Sequence, residues 1–310
     1  MKPAIALLLL CPALALAQAG TWTTPHLGYF FDRDAKVIRV LSGVPGAAGA
    51  DESLALASKL DAAWTSPSGF YALATLRDTS ALQVVAWPHG STNISSLEQA
   101  IQPTLVAFSP SGSAVVLWNH DTAKLQVWSG LPGAPTLARQ TDAHAVQSAA
   151  VTDDASLLAL VDDAGATLLS RTGDVQPLPF ATSVQFLRNS NDLVAAFAST
   201  NQVSLFHNPG THAEISPLAG AGDGISGPTG LALAGSSRQV AVVNSAGRSV
   251  SLIDLDTKTT TTLNCGCSPK EVAPLAGNSV FRVSGENMLV LDRQDGQWRL
   301  TAVPFQGGDR

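Results

Sequence analysis

The side chains with the clearest capacity for chemistry are Cys265 and Cys267, which a single glycine separates. In an oxidising compartment they could form a disulfide, and because only one residue lies between them its ring would be small, strained and labile. A redox site or a soft-metal site would be the functional interpretation, although two thiolates fall short of the four ligands of structural zinc. A local covalent link, or a pair of free thiols, is the alternative.

The histidines and one glycine-rich loop give weaker signals. His207 and His212 are close in sequence but flank an Asn-Pro-Gly turn, where solvated side chains are expected rather than metal ligands. The segment 222–227, GDGISG, has the spacing of a dinucleotide-binding loop. Pro228 and the β-type run after it do not supply the helix N-terminus that would face a pyrophosphate, so a loop between structural units is expected.

Acidic, amide and imidazole side chains also follow several short apolar runs. These residues are Asp78, Asn119, His120, Asp121, Asp162, Asp163, Asn201 and Asn244, with Trp118 and His144 nearby. Their oxygens could hold a hard cation such as calcium if the fold gathered them. Asp and Asn in turns also cap their own backbone, so the outcome depends on the elements that carry them.

Those elements are most regular in the segment 106–130, VAFSPSGSAVVLWNHDTAKLQVWSG. Strands are predicted at 104–108, 114–118 and 124–128, because β-branched and aromatic residues favour pleated runs. Ser-Pro-Ser-Gly and Asn-His-Asp form the turns between them, and Trp128 is expected to pack between neighbouring units. The same Ser-Pro-Ser-Gly turn occurs at 66–69, which indicates that the chain repeats a unit.

The third strand of this unit marks each copy. Seven such segments occur, at 36–41, 81–87, 124–130, 166–173, 202–210, 249–257 and 287–296. Most have two apolar strands before them and a weaker polar strand after them. Four strands per unit, with units about 40–45 residues apart, predict an all-β domain at 20–310: a single seven-bladed β-propeller of four-stranded antiparallel blades. The first copy lacks an obvious innermost strand, so either Thr21–Pro25 supplies it or the ring closes differently.

The units, above all VAFSPSG followed by LQVW, resemble the blades of WD-repeat and YVTN-type β-propellers, and the chain is similar to secreted bacterial propellers of unknown role. The resemblance extends from His26 to Phe305. The Gly-His pair is absent and no third strand ends in Trp-Asp, so the resemblance implies architecture rather than activity. In this architecture, turns between second and third strands gather at one mouth of a central channel. The candidate residues for binding a partner are therefore Trp118, Asn119, His120, Asp121, His144, Asp162, Asp163, Asn201 and Asn244, with Asp78 beside them.

The first residues have the pattern of a cleaved secretory signal peptide at 1–19, with Lys2, an apolar run and Ala17-Gln18-Ala19 before the cleavage point. A secreted or periplasmic location is expected. No later stretch approaches the ~20 apolar residues of a membrane span. The net charge of -6, with scattered charges, argues against nucleic acid or an anionic membrane surface as a partner, since both require a basic patch.

These features together predict an exported, monomeric and non-catalytic propeller, without a cofactor, that serves as a binding or scaffold module for a protein or glycan partner. The alternative is a lactonase or hydrolase that uses a metal ion, such as calcium, in the channel. Few glutamates are available for it, and none lies in an obvious turn at the mouth. A quinone-dependent dehydrogenase would need a cofactor clamp such as adjacent cysteines, and Cys265 and Cys267 are not adjacent.

Overall fold

A computed structural model of the chain describes residues 25–303, except 45, 57, 78–80, 88–90, 212–213, 234–237, 276–279 and 285–287. The predicted signal peptide, Asp78 and His212 lie outside the described residues. The described part consists of strands, turns and one 3-10 turn, Ala221–Asp223. It contains no helix of the length and apolar character that crossing a bilayer requires.

The strands form seven sheets, each from consecutive strands paired antiparallel. The first four sheets contain β1 (His26–Asp32), β2 (Val37–Val44) and β3 (Ala47–Ser53); β4 (Leu60–Thr65), β5 (Tyr71–Leu76), β6 (Leu82–Ala86) and β7 (Asn93–Ser96); β8 (Leu105–Phe108), β9 (Ala114–Asn119), β10 (Lys124–Ser129) and β11 (Thr136–Asp142); and β12 (Ser148–Val151), β13 (Leu157–Asp162), β14 (Gly165–Ser170) and β15 (Val175–Leu178).

The last three sheets continue the same order. They contain β16 (Ser183–Phe186), β17 (Leu193–Phe197), β18 (Gln202–His207) and β19 (Glu214–Ala219); β20 (Pro228–Leu233), β21 (Gln239–Asn244), β22 (Ser249–Asp254) and β23 (Thr260–Asn264); and β24 (Glu271–Pro274), β25 (Phe281–Ser284), β26 (Leu289–Gln294) and β27 (Gln297–Ala302). The predicted seven-bladed β-propeller is confirmed. Six blades have four strands, and the first has three within the described residues.

Burial along each blade follows from its place in the ring. The second and third strands, such as β9 and β10, are almost continuously buried because both of their faces pack against neighbouring blades. Every residue of the outer strand β7 is exposed. Trp128 packs with Tyr71 and Leu73 of the second blade, as predicted, so the hydrophobic core consists of layers between blades rather than one centre.

The ring closes where the last blade meets the first. Leu27, Phe30 and Leu41 of the first blade pack with Val290 and Val303 of the last. Of the segment 21–25, only Pro25 is described, and its carbonyl accepts a hydrogen bond from the Gly43 N–H at 2.8 Å. That bond extends the β1–β2 pair, so Pro25 belongs to the edge of β1.

Candidate functional site: the central channel and its mouth

The two ends of the channel carry different kinds of connection. The inner strands β4, β8, β12, β16, β20 and β24 begin on the face that also carries the turns between second and third strands. Asn119 Nδ2, in such a turn, donates to the Gln102 carbonyl at 2.6 Å, and Lys36 Nζ donates to the Asp61 carbonyl at 3.1 Å. We call this side the mouth face.

The centre of the ring is an open cavity of about 1310 Å³. Small residues line much of it, one on each of five inner strands: Ala62, Ala107, Ala149, Ala232 and Ala273. Larger apolar side chains, including Trp64 and Leu231, also border it. Each inner strand pairs along one edge with the second strand of its blade, and within the described residues no strand pairs with its other edge. Apart from the Val184 N–H, which donates to Ser148 Oγ at 3.4 Å, that edge can present N–H and C=O groups to the channel.

Charged and polar side chains surround the mouth. They include Lys36, Asp61, Thr104, Gln147, Thr229, Lys270, Glu271 and Arg282. Asp61 Oδ1 lies 3.5 Å from Arg77 Nε, and Glu271 Oε2 lies 3.7 Å from Arg282 Nη2. Such exposed ion pairs contribute little to stability, so these charges can be exchanged for contacts with a partner.

The third-blade turn, which carries four of the predicted partner-binding residues, is divided between structural and exposed side chains. Trp118 is only 6% exposed, and its Nε1 donates to the Ala143 carbonyl at 2.8 Å. Asn119 Oδ1 accepts from the Thr122 N–H at 2.8 Å and caps the turn. His120 and Asp121 are exposed on the mouth face. None of the residues 118–121 lines the channel cavity.

In the fourth-blade turn, the carboxylates of Asp162 and Asp163 accept hydrogen bonds from residues of the same blade. Asp162 Oδ1 accepts from the N–H groups of Ala164 and Gly165, at 2.8 and 3.0 Å. Asp163 accepts a hydrogen bond from Gln147 Nε2, a residue that lines the mouth. Asp163 is therefore the predicted residue that the structure connects most directly to the channel, while Asp162 shapes its own turn.

The two predicted amides of the fifth and sixth blades join loops to strands. Asn201 Oδ1 accepts from the Gly227 N–H at 2.7 Å and so connects the two blades. Asn244 is fully buried, accepts from the Ser226 N–H at 3.2 Å and donates to Ser251 Oγ at 2.8 Å. These contacts are structural, because they satisfy buried backbone and hydroxyl groups.

The remaining predicted side chains do not gather into an ion site. His144 is exposed on the loop before β12. Across the described residues, no three His, Cys, Asp or Glu side chains converge in a way that could hold a metal ion.

The polar ring of the mouth is the feature that the sequence analysis missed. A polar residue lies within one position of the first residue of an inner strand in successive blades: Asp61, Thr104, Gln147, Ser183, Thr229 and Glu271. In three blades this recurrence is visible in the sequence, because Asp61, Thr104 and Gln147 each lie five residues before the residue that begins the following turn.

Cys265 and Cys267 also lie on the mouth face, in the connection from β23 to β24. They form a disulfide with 2.28 Å between the sulfurs and 5.1 Å between the Cα atoms. Gly266 has φ +60°, a conformation that favours glycine. Arg248, in the turn between β21 and β22, donates from Nε to the Cys267 carbonyl at 3.2 Å and from Nη2 to the Gly266 carbonyl at 3.3 Å.

No protein-family model matches the sequence. A search of curated proteins also finds no match. Solved structures do match. The chain is similar to the RRP9 WD40 repeats, with a TM-score of 0.56, 12% identity, and coverage of 82% of this chain and 83% of that one.

Two other solved structures show the same likeness. A functionally unknown protein from Desulfotomaculum acetoxidans DSM 771 aligns with a TM-score of 0.52 and 14% identity, covering 76% of this chain and 79% of that one. A chain of the nidogen/laminin complex aligns with a TM-score of 0.51 and 12% identity, covering 76% of this chain and 92% of that one. At these identities the likeness concerns fold alone, and it confirms the resemblance to WD-repeat propellers at that level.

Proposed function

We propose that this protein is an exported, monomeric binding module that holds a segment of a protein partner in its channel. The observation that carries the proposal is the open cavity of about 1310 Å³ beneath a ring of charged and polar side chains. Sites for small molecules usually measure about 300–1,000 Å³, so this cavity suits a larger occupant.

The walls favour a polypeptide segment. The free edges of the inner strands offer hydrogen bonds to an extended backbone, and the apolar side chains between them suit alternate residues of such a segment. At the mouth, Lys36 and Lys270 lie near Asp61 and Glu271, so both signs of charge are available for orientation. A glycan, which would stack on Trp64 and bond to the polar ring, is the alternative outcome of the test.

The test compares two arginine substitutions. Partners are first captured with the mature chain, by crosslinking to proteins from the same compartment and, separately, on a glycan panel. Ala273→Arg places a long cation in the channel, because Ala273 is half-buried and lines it, whereas Ala134→Arg adds the same side chain at an exposed turn on the opposite face. We expect Ala273→Arg to weaken binding at least tenfold and Ala134→Arg to leave it unchanged.

Other results would change the assignment. Binding that survives Ala273→Arg but is lost after alanine replacement of His120 and Asp121 would move the site from the channel to the turns. Asn119 is left intact in that variant because it caps the turn. Binding that appears only on the glycan panel would replace the polypeptide by a glycan.

Export and oligomeric state are tested separately. The protein recovered from the periplasm or medium should begin at Gly20, as determined by N-terminal sequencing, and light scattering should give the mass of one chain. If the protein is instead found inside the cell with residues 1–19 still attached, the proposal that it is exported is wrong.

A further inference from the structure

The two sulfurs of the Cys265–Cys267 disulfide have different surroundings. Cys267 is only 4% exposed and packs in the apolar layer between the sixth and seventh blades, with Val272 and Phe281 among its neighbours. Cys265 is half-buried and contacts only the border of this layer. An incoming thiolate can therefore reach Cys265 more readily than Cys267, and accessible disulfides are the ones that exchange.

Polar groups surround the accessible sulfur. The Cys267 N–H donates to Cys265 Sγ at 3.3 Å, a contact that would strengthen if this sulfur became a thiolate. The guanidinium of Arg248 is held on the same short ring by its bonds to the Gly266 and Cys267 carbonyls. A positive charge and an N–H donor near a cysteine favour the thiolate form, which is the reactive one. They act against the carbonyl oxygens of Arg248 and Cys267, each of which lies 3.3 Å from the same sulfur.

The backbone holds this arrangement in place. The Cys265 N–H donates to the Arg248 carbonyl at 3.2 Å, while the Arg248 side chain returns to the cysteine ring. Arg248 itself has φ +50°, within a tight turn that a bond from its N–H to the Ser245 carbonyl closes. The backbone and the side chain of Arg248 both bond to the segment 265–267, so the turn between β21 and β22 holds the guanidinium on this short ring.

We propose that Cys265 and Cys267 form a thiol–disulfide exchange site on the mouth face, which acts on dithiols and disulfides of polypeptide substrates. Cys265 is the attacked and attacking sulfur, Cys267 is the resolving sulfur, and Arg248 is a positioning residue. The proposal goes beyond the binding function and does not depend on it.

The exchange balances without a third reactant. A substrate thiolate attacks Cys265 Sγ, which forms a mixed disulfide and releases Cys267 as a thiolate. The second substrate thiolate then attacks the substrate sulfur of the mixed disulfide and releases Cys265. The substrate loses two electrons and becomes a disulfide, the protein becomes a dithiol, and the two protons of the substrate thiols pass to the two cysteines. The reverse sequence reduces a substrate disulfide.

The first test measures the reaction itself. The oxidised mature chain is mixed with one equivalent of a two-cysteine peptide, and the products are counted by alkylation and mass spectrometry. We expect one peptide disulfide per protein dithiol, at least tenfold faster than with the oxidised peptide LNCGCSPK, which carries the motif without the fold. A rate equal to that of the peptide would overturn the proposal, because the folded surroundings would then contribute nothing.

The second test separates the two sulfurs. With a peptide disulfide as the probe, Cys267→Ser should accumulate a mixed disulfide at Cys265, and Cys265→Ser should accumulate little. Equal trapping by both variants would overturn the assignment of roles. If a serine variant does not fold, alkylation of the reduced native chain provides the same information, with Cys265 expected to react faster.

The third test concerns Arg248. With the reduced chain and a peptide disulfide as the probe, so that Cys265 is the attacking sulfur, Arg248→Gln should slow exchange about tenfold at pH 6, where thiolates are scarce. The effect should be smaller at pH 9, where a thiolate forms without assistance. Arg248→Lys keeps the charge and should recover part of the rate. A change in melting temperature without this pH profile would show that Arg248 is only structural and would remove it from the site.

Discussion

The carboxylate of Asp153, in the turn between β12 and β13, accepts two hydrogen bonds from Ser111 in the corresponding turn of the neighbouring blade. Oδ1 lies 2.8 Å from the Ser111 backbone N and 2.6 Å from its Oγ. Oδ2 accepts from the Asn189 N–H of the next blade at 2.9 Å. One side chain therefore connects three successive blades on the face opposite the mouth.

Asp153→Ala should lower the free energy of unfolding by about 2–3 kcal/mol, because it leaves donors of two neighbouring blades unpaired. Asp153→Asn should cost less, since the amide keeps one accepting oxygen. Asp154→Ala is the control, because Asp154 bonds within its own turn, to Thr152 and Ser156. Urea denaturation measures all three, and equal losses for Asp153→Ala and Asp154→Ala would contradict the proposed connection between blades.

Arg39 and Asp32 form the most buried ion pair that the structure describes, with Asp32 5% exposed and Arg39 Nε 2.7 Å from Asp32 Oδ2. Burial alone would raise the pKa of Asp32. Hydrogen bonds from the Ala35 N–H, Arg39 and the Asp34 N–H outweigh that effect, so the pKa of Asp32 is lowered. Because the folded pKa lies below the unfolded one, the pair stabilises the fold above roughly pH 4, and the contribution is lost as the pH falls through the folded pKa.

Arg39→Ala should therefore cost about 3 kcal/mol at pH 7, where it leaves a buried carboxylate without its counter-charge and with the Ala35 and Asp34 N–H groups as its donors. The loss in free energy of unfolding should be smaller at pH 3, because the Asp32 carboxylate without its arginine takes up a proton. The double variant Asp32→Asn/Arg39→Ala is the control and should be more stable at pH 7 than Arg39→Ala alone. A loss that is the same at both pH values would show that Arg39 acts through packing rather than charge.

Asp292, in β26, should destabilise the fold near neutral pH. It is 1% exposed, and no hydrogen bond of good geometry reaches either carboxylate oxygen in the described part of the molecule. Gln294 and the charge of Arg299 lie close enough to oppose the effect of burial on its pKa, but they do not outweigh it. Burial raises the pKa of Asp292, so the folded chain retains a proton that the unfolded chain releases. The contribution of Asp292 to the free energy of unfolding therefore falls as the pH rises above the ordinary carboxyl pKa.

Asp292→Asn should consequently raise the free energy of unfolding by about 1 kcal/mol at pH 8 and by much less at pH 4. The comparison with wild type at each pH cancels the contributions of the other acids. Thermal unfolding across this range measures the difference, and a variant that is less stable than wild type at pH 8 would refute the prediction.

Gln126 is a buried polar residue within the third strand of the third blade, and it is 2% exposed. Its Oε1 accepts from the Ile101 N–H and Trp128 Nε1, and its Nε2 donates to the Gln99 carbonyl and to Gln140. Gln126→Leu should cost about 3 kcal/mol by leaving these groups unpaired. Gln140→Leu, at an exposed position, is the control and should cost well under half as much. Chemical denaturation distinguishes the two.

The blades could be predicted because their signals are local. Turn residues and apolar runs define the third blade to within one residue at each strand end, since both act over only a few positions. The inner strands are shorter and contain many small residues, so their polar first positions did not stand out.

The direction of a turn side chain could not be predicted. Asn119 and Asn244 both end the second strand of a blade, yet Asn119 is partly exposed and Asn244 is fully buried. The difference comes from the 3-10 turn Ala221–Asp223 and the loop after it, whose Ser226 N–H bonds to Asn244. The path of a loop depends on packing between blades, which no pattern along one segment records.

The short ring closed by Cys265 and Cys267 has a thermodynamic consequence. A crosslink stabilises a fold mainly by shortening the loops available to the unfolded chain, and that gain grows with loop length. A disulfide that encloses only Gly266 restricts the unfolded chain by about 1.6 kcal/mol, against about 4.7 for a loop of 100 residues. We therefore expect the chain to remain folded when this disulfide is reduced, because the bond contributes so little to the stability of the architecture.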